Sequence, residues 1–207
     1  MAYEEWQPLD MFPLIAGGCC IYPPWQPAPP VRDNRHIVLD PGVVFGSGSH
    51  ATTHDCLKAM ALLIEQEGPL PESAIDIGTG TGLLALAAAR RGIPRIVGVD
   101  NNFLAAQTAK KNAAMNDLED NIVIVKGRAA DFTHMPFDLL IANIHYEAMR
   151  NLIAADNLLN YKYFILSGLL RSPARKVLAR LDKLPVKTIK VWNKNKIWCT
   201  IIGKCFD

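Results

Sequence analysis

Residues 74–82 constrain the fold of this chain more than any other stretch of the sequence. A short apolar run ends in an acid, Asp76, and a run of strong helix formers begins at Leu83. Glycines occupy every second position between them, at Gly78, Gly80 and Gly82. This order predicts a strand, a tight turn and the start of a helix. The free N–H groups of such a turn suit a negatively charged ligand group.

The spacing of the acids and glycines selects among nucleoside-containing ligands. A dinucleotide-binding turn has its third glycine three positions after the second, where this chain has Leu83. Asp76 would repel a pyrophosphate but attract an ammonium group, and Asp100 ends the next apolar run, where an acid accepts hydrogen bonds from ribose. S-adenosylmethionine carries carboxylate, ammonium and ribose together, so we expect it rather than NAD. The alternative is an ordinary strand, turn and helix with a solvated Asp100.

Length and composition favour one α/β domain. The chain has 207 residues, half of them hydrophobic, and no apolar run long enough to cross a bilayer. Its first residues lack the basic region of a signal peptide. Five cysteines form neither a CxxC pair nor a zinc-binding spacing, which is typical of a reducing compartment. We therefore expect a cytoplasmic protein with no metal site and no membrane partner.

The net charge of +2 is unevenly distributed. Residues 1–170 hold 12 Lys and Arg against 18 Asp and Glu, whereas residues 171–207 hold 10 against 2. The basic segment 171–207 could meet nucleic acid or an acidic partner. The alternative is a solvated helix face and solvated strand edges.

Residues 1–38 are rich in proline, which interrupts helices. We expect them to form an ordered arm that packs on a catalytic domain at 39–207, with one short strand at 15–22. Four aromatic residues are the expected anchors: Trp6, Phe12, Tyr22 and Trp25. Disorder is the competing interpretation.

Strand and helix patterns alternate through the rest of the chain. Strands are predicted at 74–77, 95–99, 122–125, 138–142, 161–167, 186–192 and 197–203. Helices are predicted at 51–67, 82–91, 103–116, 146–156 and 172–184. Such alternation is typical of a mostly parallel sheet covered on both faces. The short polar connection at 193–196 makes the last two strands antiparallel to each other.

A second glycine-rich turn, which includes Gly46, precedes the helix predicted at 51–67. Thr52 and Thr53 lie in the first turn of that helix, where hydroxyl and free N–H groups can meet an anion. His50 and His54 are one helical turn apart, but no third metal ligand accompanies them. We therefore expect structural or substrate-lining roles for these two histidines.

Asn143 is a polar residue at the end of the apolar run 138–142. Because ligands bind beyond the carboxyl ends of parallel strands, Asn143 should face the same crevice as Gly78 and Asp100. Its amide oxygen could accept an N–H from an incoming amine, and His145 and Tyr146 could wall the pocket. The alternatives are a helix N-cap for Asn143 and a plain surface position for the other two.

Several of these segments together resemble the family of methyltransferases that modify ribosomal protein L11. They are 39–53, with Asp-Pro-Gly and Phe-Gly-Ser-Gly-Ser-His-Ala-Thr-Thr, then 75–82, 97–100, the Ala-Asn-Ile at 142–144, and 166–170. The resemblance implies the seven-stranded, Rossmann-like class I methyltransferase fold with an antiparallel C-terminal hairpin. It also implies S-adenosylmethionine as the methyl donor, with cofactor positions at Thr53, Gly78, Asp100 and Asn143.

The full set of candidate site residues combines the motifs with this resemblance. The cofactor candidates are Phe45, Gly46, Thr52, Thr53, Asp76, Gly78, Gly80, Asp100 and Asn143. The catalytic candidates are Asn143, His145 and Tyr146.

The expected reaction is direct methyl transfer from the sulfonium to a nitrogen, either a protein lysine or an α-amine, with a ribosomal protein as a possible substrate. Holding the amine and the methyl group in line could supply roughly 7–11 kcal/mol. Asn143 would orient the amine, and His145 could accept its proton. Two alternatives remain open: the same fold acting on a small molecule or nucleic acid, and a cofactor-binding module without catalysis.

Overall fold

The computed structural model describes residues 12–27, 35–153, 155–193 and 197–206, and at residues 155 and 156 only the backbone. Three short strands form a small sheet of order β1-β2-β3: β1 (Leu14–Ala16), β2 (Cys19–Tyr22) and β3 (His36–Val38). Seven further strands form the main sheet: β4 (Ser73–Ile77), β5 (Arg95–Asp100), β6 (Ile122–Lys126), β7 (Phe137–Asn143), β8 (Tyr161–Leu170), β9 (Val186–Trp192) and β10 (Trp198–Cys205).

Helices connect most of these strands. They are α1 (Ala51–Gln66), α2 (Leu83–Arg90), α3 (Phe103–Met115), α4 (Tyr146–Leu152), α5 (Ala155–Leu158) and α6 (Arg171–Leu181), with one 3₁₀ turn at Ala129–Asp131. α2 is apolar on all sides, and its first six residues are buried, as expected of a helix enclosed by the core. Within the described residues, no helix combines the length and apolar character needed to span a bilayer.

The main sheet has the strand order β6-β5-β4-β7-β8-β10-β9. Strands β4 to β8 pair in parallel, whereas β10 runs antiparallel to both of its neighbours. The predicted fold, with its mostly parallel sheet and antiparallel C-terminal hairpin, is therefore confirmed. The order reverses beside β4, since β5 and β6 lie on one side of it and β7 and β8 on the other. Ligands bind at the carboxyl ends of strands at such a switch point.

Two hydrophobic cores cover the two faces of the sheet. One packs α1, α2 and the small sheet against the strands and includes the fully buried Leu57, Met60 and Ile37. The other packs α4 and α6 against the opposite face and includes Phe164 and Val177. Burial on both faces explains why the central strands are almost continuously apolar.

The single strand predicted at 15–22 is wrong. Gly17 and Gly18 adopt φ values of 53° and 80°, and this two-residue turn folds the segment into the β1–β2 hairpin. The Arg91 guanidinium donates to the Gly17 carbonyl and to Cys19 Sγ, which holds the hairpin against α2. Trp6 lies outside the described residues, and the division of the chain at residue 38 stays a prediction.

The helix predicted at 146–156 begins at Tyr146 as expected, but its predicted end is wrong, because α4 ends at Leu152 and a separate helix, α5, begins at Ala155. Arg180 Nε donates to the Ile153 carbonyl at 2.6 Å, so a side chain from α6 occupies an acceptor at the end of α4. The turn predicted at 193–196 falls mainly outside the described residues, although the antiparallel pairing of β9 with β10 is confirmed.

Candidate functional site

A cleft of about 610 Å³ opens at the carboxyl ends of β4 and β7, next to the reversal of strand order. A second cavity of about 430 Å³ lies beyond the end of β5. The two chambers share five lining residues: Gly78, Asp100, Asn101, Ile144 and Ala148. Together they form one crevice of the size that holds small ligands, at the position that the sheet topology predicts.

The glycine turn, residues 78–82, forms the floor of this crevice. Gly78 and Gly80 adopt φ values of 74° and 57°, in the left-handed region that favours glycine. A Cβ atom on Gly78 would overlap the Ile144 side chain, and one on Gly80 would overlap the Phe45 carbonyl. The two glycines are therefore required by neighbouring protein segments as well as by their backbone conformation.

The Asp100 carboxylate joins three parts of the site. Oδ2 accepts the Gly80 N–H at 2.9 Å, and Oδ1 accepts the Asn102 N–H at 2.9 Å. Asp100 thereby connects the end of β5 to the glycine turn and to the start of α3. It lines both chambers, and each carboxylate oxygen can accept a further hydrogen bond. These two acceptor oxygens fit a ligand with a pair of hydroxyl groups.

Asp76 lies beneath the glycine turn and is not among the residues that line the cleft. It is 1% exposed, and Thr79 Oγ1 donates to its Oδ2 at 2.7 Å. Burial raises the pKa of Asp76 to about 7, against the opposing effect of hydrogen bonds from Thr79 and the Ala85 N–H. A direct contact between Asp76 and a ligand ammonium group stays a prediction.

The roof loop, residues 40–49, lies over the glycine turn. The Thr81 N–H donates to the Phe45 carbonyl at 3.2 Å, and Thr81 Oγ1 donates to the Gly46 carbonyl at 2.7 Å. Phe45, which is 62% exposed, lines the cleft, whereas Gly46 lines a small cavity between the loop and the turn. Phe45 therefore lies at the crevice and Gly46 beside it, and a cofactor role for either residue stays a prediction.

His50 is the N-cap of α1, and its Nδ1 accepts the Thr52 N–H at 3.3 Å and lies 2.7 Å from Thr52 Oγ1. Because an amide N–H can only donate, Nδ1 is the acceptor nitrogen and the ring proton is on Nε2. The His50 ring makes edge contacts with Phe45 and Trp198, at 5.7 and 5.1 Å between centroids. Thr52 is buried and lines the cleft, and Thr53 lines the small cavity beneath the roof loop.

His54 does not join His50 at the cleft. Its Nε2 is buried and has no hydrogen-bond partner among the described residues, and burial lowers the pKa of its ring. Across the described part of the chain, no cluster of three or more His, Cys, Asp or Glu side chains is placed to hold a metal ion.

Asn143 lies at the end of β7 and lines the cleft. Its side-chain amide makes no hydrogen bond to any described residue, so it keeps its full capacity for a ligand. The N-cap of α4 is His145, which excludes the N-cap alternative for Asn143. His145 is exposed and lines the cleft, as expected. Tyr146 does not line it, because its ring lies under Lys176 Nζ at 5.7 Å and packs against the core; a catalytic role for Tyr146 stays a prediction.

Sequence reasoning missed several lining residues, above all Trp198 and Gly168. Trp198 begins β10, and its arrival at the cleft depends on β10 inserting between β8 and β9, which no local pattern reveals. Gly168 has a φ of 78° inside β8, and a Cβ there would be 2.7 Å from the Ile144 carbonyl oxygen. The available signal was a glycine directly after the strand predicted at 161–167 and before further apolar residues, because a glycine within such a pattern indicates a close backbone approach.

The sheet order, the antiparallel β10, the glycine turn and the acid that ends β5 define the class I S-adenosylmethionine-dependent methyltransferase fold. The family model for ribosomal protein L11 methyltransferase, PrmA, matches residues 2–205. The chain therefore belongs to this family.

Individual relatives agree with this assignment. The ribosomal protein L11 methyltransferases of Clostridium botulinum and Staphylococcus haemolyticus are 34% and 35% identical over 186 and 187 residues, which cover 89% of this chain. The chain spans 58% of the length of each. The crystal structure of ribosomal protein L11 methylase from Lactobacillus delbrueckii subsp. bulgaricus superimposes with a TM-score of 0.74 at 25% identity. That match covers 91% of this chain and 94% of the other.

Proposed function

We propose that this chain is an S-adenosylmethionine-dependent methyltransferase that acts on a nitrogen atom. One observation carries the proposal. The Asp100 carboxylate, bound to the Gly80 N–H, lies where two chambers meet, and the free amide of Asn143 lines the same cleft. When bound, S-adenosylmethionine supplies an electrophilic methyl group on a sulfonium.

The residues at the crevice fit this cofactor. The free lone pairs of Asp100 would accept hydrogen bonds from the ribose hydroxyls. The second chamber, which Ile77, Val99 and Ala130 help to line, would hold the adenine ring. The cofactor positions of the family by resemblance include Thr53 and Gly78, and Gly78 lines both chambers.

Asn143 would orient the methyl acceptor. Its side-chain oxygen can accept an N–H from an amine, so that the nitrogen lone pair points towards the methyl group. The amine must be neutral, and lowering a lysine pKa from about 10.4 to about 7 requires about 4–5 kcal/mol. The apolar part of the cleft lining and the adjacent sulfonium charge would both disfavour the ammonium form. His145, exposed at the cleft, would take up the proton.

The acceptor that we propose is a protein amine, either a lysine or an α-amine of a ribosomal protein. The names of the relatives support it, since each names ribosomal protein L11. Nucleic-acid binding by the basic segment 171–207 has no comparable support. Several of its cations already contact protein groups: Lys176 lies over Tyr146, Lys190 over Trp192, and Lys204 pairs with Glu67.

Calorimetric titration tests the cofactor assignment. The protein should bind S-adenosylmethionine and show no heat of binding with NAD, because Leu83 takes the place of the third dinucleotide-binding glycine. Binding of NAD in preference to S-adenosylmethionine would overturn the proposal.

Methyl labelling tests the acceptor. The protein and radiolabelled S-adenosylmethionine are added to a cell lysate, which is then separated into protein, nucleic acid and metabolites. Label should enter the protein fraction. Label in nucleic acid or metabolites would show that the acceptor is nucleic acid or a small molecule instead. Tight cofactor binding without any label transfer would indicate a non-catalytic module.

A further inference from the structure

One buried side chain connects the roof loop to the glycine turn. Asn112, in α3, is fully buried and does not line the cleft. Its Oδ1 accepts the Asp40 N–H at 2.9 Å, and its Nδ2 donates to the Asp40 carbonyl at 2.9 Å and to the Thr81 carbonyl at 2.8 Å. We infer that Asn112 is a positioning residue that sets the roof loop against the glycine turn and so shapes the cofactor crevice.

Thr81 supplies the other half of this connection. Its N–H donates to the Phe45 carbonyl, its hydroxyl donates to the Gly46 carbonyl, and its own carbonyl accepts from Asn112. All three polar groups of this buried residue are therefore used to hold the roof loop or the side chain that anchors it. The roof loop is therefore hydrogen-bonded at Asp40, where it begins, and again at Phe45 and Gly46, near its centre.

Hydrogen bonds and packing, rather than regular secondary structure, fix the conformation of the roof loop. It contains no helix or strand, and Gly42, Gly46 and Gly48 all adopt positive φ. Glycines give the unconstrained chain many conformations, so the bonds from Thr81 and Asn112 contribute to fixing its position. Asp40 also accepts the Gly42 N–H at 3.1 Å through Oδ1 and pairs with the largely exposed Lys111 through Oδ2.

Asn116, one helical turn after Asn112, makes the same pattern of bonds to a different target. Its Oδ1 accepts the Val38 N–H at 2.9 Å, and its Nδ2 donates to the Val38 carbonyl at 2.7 Å and to the Asn112 carbonyl at 2.8 Å. Four helical residues rise about 6 Å and two strand residues about 6.6 Å, so the two amides match alternate residues of an extended chain. Asn116 anchors β3, however, and does not touch the glycine turn.

Asn116 provides a matched control for Asn112, because both are buried asparagines, one within α3 and the other at its C-cap. Replacing either by Ala leaves buried backbone groups unpaired and should lower the melting temperature. Only Asn112→Ala should release the roof loop from the glycine turn. The consequence for S-adenosylmethionine rests on the proposed function, whereas the consequence for loop mobility does not.

The experiment combines hydrogen exchange without ligand with calorimetric titration of S-adenosylmethionine. Asn112→Ala should speed amide exchange at least tenfold in peptides covering 40–49 and 78–82 and raise the dissociation constant about tenfold. Asn116→Ala should change exchange in those two segments and the dissociation constant by less than about twofold. Its melting temperature should nevertheless fall by a similar amount. Equal effects of the two variants on exchange and binding, or no effect of Asn112→Ala, would overturn the inference.

Asn112→Asp provides the test if the alanine variant does not fold. It keeps an acceptor for the Asp40 N–H but loses both donated bonds, so exchange in the two segments should still rise relative to wild type. Unchanged exchange in this variant would contradict the positioning role. Failure of the wild type to bind S-adenosylmethionine would overturn the proposed function alone, because the exchange measurement stands without the ligand.

Discussion

The two ends of the crevice differ in how their polar groups are satisfied. At the proposed methyl-donor end, formed by the glycine turn and Asp100, the carboxylate and Thr81 already bond within the protein. At the proposed methyl-acceptor end, residues 143–145, the Asn143 amide bonds to no described residue and His145 is exposed. Internal bonds organise a site before its ligand arrives, whereas free polar groups await an incoming molecule. Cofactor binding and acceptor chemistry should therefore be separable by mutation.

Asn143→Ala should show the largest effect. Loss of the orienting amide is expected to lower kcat by about 100-fold, the scale of a small misplacement of reacting groups. The dissociation constant of S-adenosylmethionine should change less than about threefold, because the donor end stays intact. Steady-state methyl transfer and calorimetry measure the two quantities, and an equal loss in both would show that the ends are not separable.

Asp100→Asn should have the converse effect. A charge-assisted hydrogen bond contributes about 1.5–3 kcal/mol, so cofactor affinity should fall about 10- to 100-fold while kcat at saturating cofactor stays within about threefold. Asp120→Asn removes the same charge at an exposed position and should leave both unchanged. A fall in kcat at saturation would mean that Asp100 also acts on the acceptor.

The pH dependence of stability sharpens the picture of the donor end. Burial raises the pKa of Asp76 to about 7, so the folded protein holds this proton more tightly than the unfolded chain. Its stabilising contribution is complete below about pH 4 and is lost as the pH rises through about 7, by at most about 1.4 kcal/mol per pH unit. The free energy of unfolding of wild type relative to Asp76→Asn, measured by thermal unfolding, should therefore fall as the pH rises from about 4 to above 7.

The same pH dependence of stability can be measured with saturating S-adenosylmethionine. A ligand ammonium group at the Asp76 carboxylate would stabilise its charged form and flatten the pH dependence. An unchanged slope with bound ligand would contradict the ammonium contact predicted from sequence.

Tyr146→Phe should have the smallest effect. The Tyr146 ring packs under Lys176 and against the core, away from the residues that line the cleft. Turnover and cofactor affinity should stay within about twofold of wild type. A tenfold fall in kcat at normal cofactor affinity would instead indicate that Tyr146 takes part in acceptor chemistry.

The features predictable from sequence are those encoded in short local patterns. Gly78, Asp100 and Asn143 each follow an apolar strand, and the carboxyl ends of parallel strands meet at one edge of a sheet, so their meeting could be deduced. The strands β4 to β10 were predictable for the same reason, apart from their ends.

The remaining features depend on contacts between distant parts of the chain. Asn112 bonds to Asp40 and Thr81, which are 72 and 31 positions away, and nothing near Asn112 in the sequence signals either partner. The burial of Asp76 beneath the turn likewise results from packing of the whole domain. The ligand-facing residues at the strand ends could be deduced from sequence, but the buried residues that position them could not.

The place of β10 inside the sheet has a consequence for the order of folding. Among the described residues, β9 pairs only with β10, which follows it in the chain, so β9 cannot take its place in the sheet before β10 does. Trp198 reaches the cleft by the same event. Until then β8 is an open edge of the sheet, and the crevice lacks the wall that Trp198 provides.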